Sequence, residues 1–458
     1  MKQLDYFFYP RSVAIIGVSK NPKKVGHVIF RNFVEGKFGG KVYPIHPAHD
    51  SLFGHRCYPS VLHVKGPVDL AVIAVPAPIT PTILEECGKK KIPAVIIVSA
   101  GFKEIGNEDL ENKLIAIAKK HKMRLVGPNC LGAFVPSSGV DTFFNPKYKM
   151  ERPGKGTIAF ISQSGALGAL TMDWMAMKGY SVSKFVSYGN AADVDEADLI
   201  EYMGNDSATK VICAYFEGVK EGRKFYETAK KVSMKKPIIA LKGGITEAGT
   251  KAVSSHTGSL AGAAQIYTAA FKQAGIIQAD DLEQILDFAR VLSTQPLPHG
   301  NRVQIITNGG GFGVLTTDWL VHNGLQLAAM EPATSKKLKK QFPPHYIVAN
   351  PIDLTGDSTA EVYNLAIQAA IEDPNVDMLC IILLFQVPRL TADVVEYIIE
   401  AARKRKKPMI VIAMGGKYTE VLKKTLEDAG IPTYSFPERA ATSLKTLYDY
   451  ALTANKKE

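Results

Sequence analysis

The chain is poor in cysteine and pairs none of what it has. Cys57, Cys87, Cys130, Cys213 and Cys380 are scattered with no CxxC spacing. That argues against a zinc site and against a disulfide framework, and fits a reducing compartment. No apolar run approaches the ~20 residues needed to span a bilayer. The longest runs, around 379–387 and 94–100, have the length of buried strands. The opening residues, Met1-Lys2-Gln3-Leu4-Asp5-Tyr6, contain no signal-peptide hydrophobic region. A cytoplasmic location is therefore the default, and no membrane partner is expected. Low-complexity tracts are also missing. A formal charge of +11 favours anionic partners, but the basic residues fall in short helical runs such as 89–91 and 403–407. With no aromatic-interleaved basic stripe, nucleic acid is not the expected partner. The excess charge suits a phosphorylated small molecule better.

What the 458 residues do contain is one pattern repeated in three blocks. Short β-branched runs alternate with amphipathic helical stretches, the grammar of parallel sheets covered by helices. The predicted fold class is α/β, with three doubly wound parallel-sheet domains. In the first block the expected strands are 13–16, 41–45, 69–75, 94–99 and 124–126. A turn-rich connector over 136–156 shows little periodicity and reads as the first boundary. The second block has expected strands at 157–161, 182–187, 211–216 and 237–241, and ends in helices near 263–273 and 282–292. The segment 294–300 is the second boundary. The third block has strands at 303–307, 378–384 and 409–413. Blocks two and three begin alike, with a strand, a short polar-glycine turn and an apolar helix. The expected domains are 1–147, 153–295 and 300–458.

Three strand-to-helix turns can hold phosphate. The first is Gly17-Val18-Ser19, with Lys20, Lys24 and Val25 close behind. It offers backbone donors and lysines but lacks GxGxxG, so a pyrophosphate with a tail other than that of NAD is expected. The second is Ser162-Gln163-Ser164-Gly165, whose hydroxyl, amide and backbone N–H groups sit at a helix start. The third is Asn308-Gly309-Gly310-Gly311 in the same topological place. Three adjacent glycines cost up to ~1 kcal/mol each in chain entropy, and they let a ligand approach the backbone. A tight turn explains one such loop and explains two poorly.

Of the ten histidines, His256 stands among hydroxyls and glycines in Ser254-Ser255-His256-Thr257-Gly258-Ser259. Alone it would be an exposed loop histidine near a helix start. Beside two phosphate-type helix starts it reads as a phosphoryl carrier, with an imidazole nitrogen free to attack phosphorus. Glu217 follows a buried-type strand, where α/β sheets present ligand-side groups. It could hold one imidazole N–H, or it could be a solvated carboxylate. The acidic residues of 193–198 cap and charge the next helix. No metal-ligand spacing is found, and no metal site is expected in this chain.

These motifs taken together resemble the alpha subunit of the NDP-forming acyl-CoA synthetases, the ADP-forming acetyl-CoA branch above all, in the succinyl-CoA synthetase superfamily. The Gly17 turn, Tyr43-Pro44-Ile45-His46-Pro47, Ala74-Val75-Pro76-Ala77, Ser99-Ala100-Gly101-Phe102 and Gly127-Pro128-Asn129-Cys130 resemble that family's CoA-binding domain. Residues 162–168, Gly189-Asn190-Ala191-Ala192-Asp193 and the His256 loop resemble its catalytic ligase domain. Asn308 to Gly313 and Asn350-Pro351-Ile352-Asp353 resemble its Gly-rich ligase domain.

The resemblance implies a Rossmann-like CoA-binding domain followed by two flavodoxin-like ligase domains. It implies CoA contacts from Gly17, Val18, Ser19, Lys20, Lys24, Val25, Val75, Pro76, Ser99, Ala100, Gly101, Asn129 and Cys130. His46 departs from the family's usual Asn. The resemblance makes His256 the phosphorylated residue and Glu217 its orienting partner. Ser162, Gln163, Ser164 and Gly165 are then the first phosphate-binding helix start, and Gly309, Gly310 and Gly311 the second. The implied reaction converts acyl-CoA, phosphate and ADP to a small carboxylic acid, CoA and ATP through an acyl phosphate and a phosphohistidine. The family's nucleotide-grasp domain has no counterpart here, since the three blocks leave no ~200-residue remainder. ADP or ATP with magnesium is therefore expected on a partner beta subunit, in an α2β2 assembly. The alternatives are a noncatalytic CoA-binding regulatory protein and, less suited to this chain's length, an acyltransferase-associated regulatory chain.

Overall fold

A computed structural model describes residues 3–251 and 264–455. The chain divides into two compact units, Met1–Leu282 and Glu283–Glu458. The first unit holds two large sheets, beside a small antiparallel pair formed by Ser51–Leu52 and His55–Arg56. In the first, β1 (Ser12–Ile16), β2 (Lys41–Ile45), β3 (Leu70–Ile73), β4 (Ala94–Ile97) and β5 (Arg124–Val126) lie parallel in the order β2-β1-β3-β4-β5. The residues of β1, β3 and β4 are all buried because helices cover both faces, which is why they read as continuous apolar runs.

The second sheet is built on β8 (Gly154–Ser162), β9 (Ser181–Ser187), β10 (Val211–Phe216), β11 (Ile238–Lys242) and β12 (Ile277–Ala279), all parallel. Ahead of them in the chain, β6 (Gly132–Val135) and β7 (Val140–Asp141) add an antiparallel edge beside β9. The connector expected over 136–156 thus carries β7 and the start of β8. These strands are short, and their edge is fastened by side chains: Arg152 Nε donates to Asp141 Oδ2 at 3.0 Å. A two-residue strand leaves no periodicity to read.

In the second unit β13 (Arg302–Thr307), β14 (Gln326–Leu327), β16 (Met378–Ile382), β17 (Met409–Ile412) and β18 (Thr433–Tyr434) run in the order β14-β13-β16-β17-β18, with β15 (Ile352–Asp353) also on β13. Counting the parallel strands along each main path in chain order, and leaving out β15, which lies off it, all three large sheets follow 2-1-3-4-5. The order reverses between the first and third strands. The crevice beyond their carboxyl ends is where such sheets take ligands.

The helix Leu282–Thr294, expected to close the second block, packs in the second unit. Its Asp287 accepts from Arg439 Nε at 2.6 Å, and the following Gln295 accepts from the Met409 N–H at 2.9 Å. Its apolar face would look the same over either sheet, so periodicity could not assign it. The helices Gly165–Met177 and Gly310–His322 prove to be repeats. Gly165, Gly168, Leu170, Thr171, Asp173 and Trp174 recur as Gly310, Gly313, Leu315, Thr316, Asp318 and Trp319. Each threonine donates to the carbonyl four residues back, Leu167 at 2.8 Å and Phe312 at 2.7 Å.

Candidate active site

The first crevice is a cavity of about 620 Å³ at the carboxyl ends of β1, β2 and β3. The chain leaves β1 at Gly17 with φ +91°, and a Cβ there would stand 2.5 Å from the Ala74 carbonyl oxygen. The helix Val25–Val34 starts directly against this turn, and the His27 ring nitrogen Nδ1 meets the Ser19 carbonyl at 2.8 Å. Gly17, Val18, Ser19, Lys24, Val25, Val75 and Pro76 all line the cavity. His46 lines it too, its ring stacked on His49 at 3.9 Å and its Nδ1 accepting from the Ala48 N–H. Burial, and then the neighbouring imidazole, lower its pKa. Lys20 is exposed and off the wall. Ser99 stands behind the wall, its hydroxyl donating to the Val75 carbonyl at 2.5 Å.

A second cavity, of about 370 Å³, opens at the seam between the two sheets of the first unit. Asn129 and Cys130 reach it from the first sheet, while Gln163, Ser164, Gly165 and Glu217 reach it from the second. Ala100 and Gly101 line neither cavity. Ser162, fully buried at the end of β8, donates to the Ser164 carbonyl at 2.6 Å and shapes the turn. Ser164 then caps the helix Gly165–Met177, its Oγ accepting from the Leu167 N–H. Gln163 Oε1 accepts from the backbone N–H groups of Glu217 and Gly218 at 2.7 and 3.0 Å. This side chain ties the helix start to the loop that carries the carboxylate. Glu217 is buried, and the Tyr215 hydroxyl donates to its Oε1 at 3.4 Å. Lys242, held over the Tyr267 ring at 4.6 Å, donates to the Glu217 carbonyl at 2.9 Å. Burial lowers the Lys242 pKa, opposed by Glu217. Burial also pushes the Cys130 thiol up to about 12, so it fills space as a neutral group.

In the second unit Thr307 receives the Gly309 N–H at 2.9 Å and donates to the Gly309 carbonyl at 3.1 Å. This echoes Ser162. Two of the three glycines have a packing reason. A Cβ at Gly309 would meet Leu384 at 2.7 Å, and one at Gly310 would meet the Asp353 carboxylate at 2.9 Å. Gly311 alone faces open space. His256 and its loop lie outside the described residues. The sequence reading missed Lys103, Phe144 and Asn145 on the second cavity wall, where Leu131 follows the Asn129-Cys130 motif. Phe144 and Asn145 belong to the stretch without periodicity, and Lys103 follows a quoted motif by one residue.

Three family models match the chain: a CoA binding domain over residues 11–136, a succinyl-CoA ligase like flavodoxin domain over 155–292, and a ligase-CoA domain over 303–457. The alpha subunit of acetate–CoA ligase (ADP-forming) II from Pyrococcus furiosus is 44% identical, over 98% of both chains. The chain belongs to the ADP-forming acetate–CoA ligase family. Another member, the acetate–CoA ligase (ADP-forming) of Methanocaldococcus jannaschii, is 45% identical over all of this chain, which spans 64% of that longer protein. Among solved family structures, the acetyl-coenzyme A synthetase 1 of Ca. Korarchaeum cryptofilum, in complex with phosphate and ADP, superposes with a TM-score of 0.93. It is 39% identical, with 99% of this chain and 98% of that one covered. The family fold read from the motifs is thus the observed one. Among the described residues no helix is long and apolar enough to cross a membrane, and no acidic, histidine or cysteine cluster could hold a metal.

Proposed function

We propose that the chain is the alpha subunit of an ADP-forming acetyl-CoA synthetase and converts acyl-CoA, phosphate and ADP reversibly to carboxylic acid, CoA and ATP. A phosphate oxygen attacks the thioester carbonyl carbon. The C–S bond breaks, and its electron pair leaves with the sulfur of CoA. An imidazole nitrogen of His256 then takes the phosphoryl group from the acyl phosphate and releases the carboxylate. Finally ADP takes it from the phosphohistidine and frees the imidazole. Phosphoryl transfer depends mainly on positioning and on fixed charge. The carrying observation is the seam cavity, which gathers CoA-domain residues, a capped helix start and buried Glu217 on one wall.

Glu217 orients the imidazole, and the helix starts at Ser164 and Gly310 bind phosphoryl oxygens. The cavity beside Gly17 takes CoA. ADP and its magnesium belong to a nucleotide-grasp beta subunit in this reading. The matches to separately named alpha subunits support such a partner, and an α2β2 assembly is the symmetric arrangement expected of it. The reaction places the protein in the cytoplasm.

Labelled ATP tests the reading. With its partner, the wild-type chain acquires acid-labile, base-stable phosphate, and His256→Ala acquires none while still binding CoA. The isolated chain makes no ATP from acetyl-CoA, phosphate and ADP. Phosphorylation of the His256→Ala chain would overturn the carrier assignment.

A further inference from the structure

Among the described residues the seam cavity has one cationic side chain on its wall, Lys103, and the mechanism above gives it no task. Lys103 opens a short helical turn, Lys103–Ile105, just after the Gly101 bend. Two carboxylates stand close by in sequence and in space, and either could have neutralised it. Both are committed elsewhere. Glu104 accepts from the N–H groups of Gly101 and Phe102 at 2.5 and 3.1 Å, and from Asn190 Nδ2 at 2.6 Å. Glu111 accepts from the same Asn190 nitrogen at 2.8 Å and from the Lys103 backbone N–H at 3.4 Å. The ammonium of Lys103 forms no ion pair and no hydrogen bond among the described residues; it acts on Glu111 only through its field, a pull that burial of that carboxyl outweighs.

An ordinary surface lysine is solvated and needs no partner. Lys103 differs in sharing a concave wall with the capped helix start at Ser164 and Gly165, and with the Gln163 amide, whose nitrogen has no partner among the described residues. Among the described residues, the charged side chains of the wall are Lys103 and Glu217. An anion entering the cavity meets the repulsion of the Glu217 carboxylate, and a single helix dipole supplies only about half a unit charge against it. A full positive charge restores a net attraction. A tetrahedral oxyanion gains more from it than a carboxylate does, because it has more oxygens for a donor set of lysine, amide and backbone N–H.

We propose that Lys103 is the cationic binding residue for the phosphoryl oxyanion in the seam cavity, holding inorganic phosphate beside the helix start before it attacks the thioester. The assignment rests on the acyl-CoA synthetase reading for the identity of the reaction, but phosphate binding can be tested without that reaction. The probe is inorganic phosphate at constant ionic strength, with thermal unfolding of the full chain as the readout, and acetate as the second anion. Phosphate raises the unfolding temperature of the wild-type chain. In Lys103→Met the concentration giving half of that rise increases roughly 10- to 100-fold, as expected for losing a charged hydrogen bond. Lys103→Arg recovers most of the response, and CoA titrations are the same in all three.

With the partner subunit, the KM for phosphate rises in Lys103→Met while the KM for acetyl-CoA stays. Unchanged phosphate response in Lys103→Met, or no response in the wild type, would overturn the proposal. An equal Lys103-dependent response to acetate would move the site to the carboxylate and overturn it as stated. If phosphate binding depends on Lys103 but the assembled enzyme makes no ATP from acetyl-CoA, the subsite stands and the reaction assignment falls. Because the lysine side chain holds nothing in the fold, Lys103→Met keeps its unfolding temperature without phosphate.

Discussion

Glu196 is buried in the first turn of the helix Glu196–Gly204. Burial raises its pKa from 4.5 to about 7, against the Lys220 N–H that it accepts at 2.9 Å. Asp195 adds repulsion and Lys224 opposes it. A carboxyl with a raised folded-state pKa gives its stability below the unfolded value and loses it as pH rises through the folded one. The window here is therefore about pH 4.5 to 7. Glu196→Gln keeps the acceptor and removes the titration. It should stabilise the chain at pH 8 relative to wild type by ~1–3 kcal/mol, at 1.4 kcal/mol per unit of pKa, and have little effect at pH 4.5. Urea unfolding at the two pH values checks this, and an equal effect at both would count against it. Burial, and then the fields of the same carboxylate and of Glu217, raise the pKa of Tyr188, whose hydroxyl finds no hydrogen-bond partner among the described residues. It keeps its proton through the whole window.

Among the elements, the helix Val25–Val34 is the one most tightly bound to a single residue type. A Cβ at Gly26 would stand 2.1 Å from the Gly17 carbonyl oxygen, so Gly26→Ala must push the helix off the turn. A cost of ~1–3 kcal/mol is expected for such overpacking. CoA affinity should fall roughly tenfold or more, since each 1.4 kcal/mol is a factor of ten. Calorimetric titration beside thermal unfolding measures both. The sequence showed the turn but not the reason for its second glycine, because that carbonyl comes close only once the strand and helix are packed. The long parallel strands were legible for a related reason: burial on both faces leaves an unbroken apolar run. The two- and three-residue edge strands β7, β12, β14 and β18 left no run to read. The Ser162 and Gly309 turns were legible as strand-to-helix turns. Lys103 was not, because an unpaired lysine looks like any other until its neighbouring carboxylates are seen to be engaged.

For the whole molecule, the division into Met1–Leu282 and Glu283–Glu458 predicts local consequences of local damage. Gln295 accepts from the Met409 N–H and donates to the Gly430 carbonyl at 2.8 Å. Gln295→Ala strands a buried backbone donor, at ~1–3 kcal/mol. Hydrogen exchange should quicken in the sheet of the second unit and stay unchanged in both sheets of the first. Quickening throughout would mean that the units unfold as one. The seam of the first unit behaves in the opposite way. Asn190 joins Glu104 and Glu111 of one sheet's domain to the loop of the other, and Asn129 Nδ2 donates to its Oδ1 at 3.3 Å. A Cβ at Gly189 would come within 2.2 Å of the Asn129 carbonyl oxygen. The two walls of the cavity are therefore braced like the jaws of a calliper locked at one setting. Glu104 and Glu111 are not on the wall, yet their bonds to Asn190 set its opening, so the width of the cavity is gauged partly by residues that nothing inside it would touch.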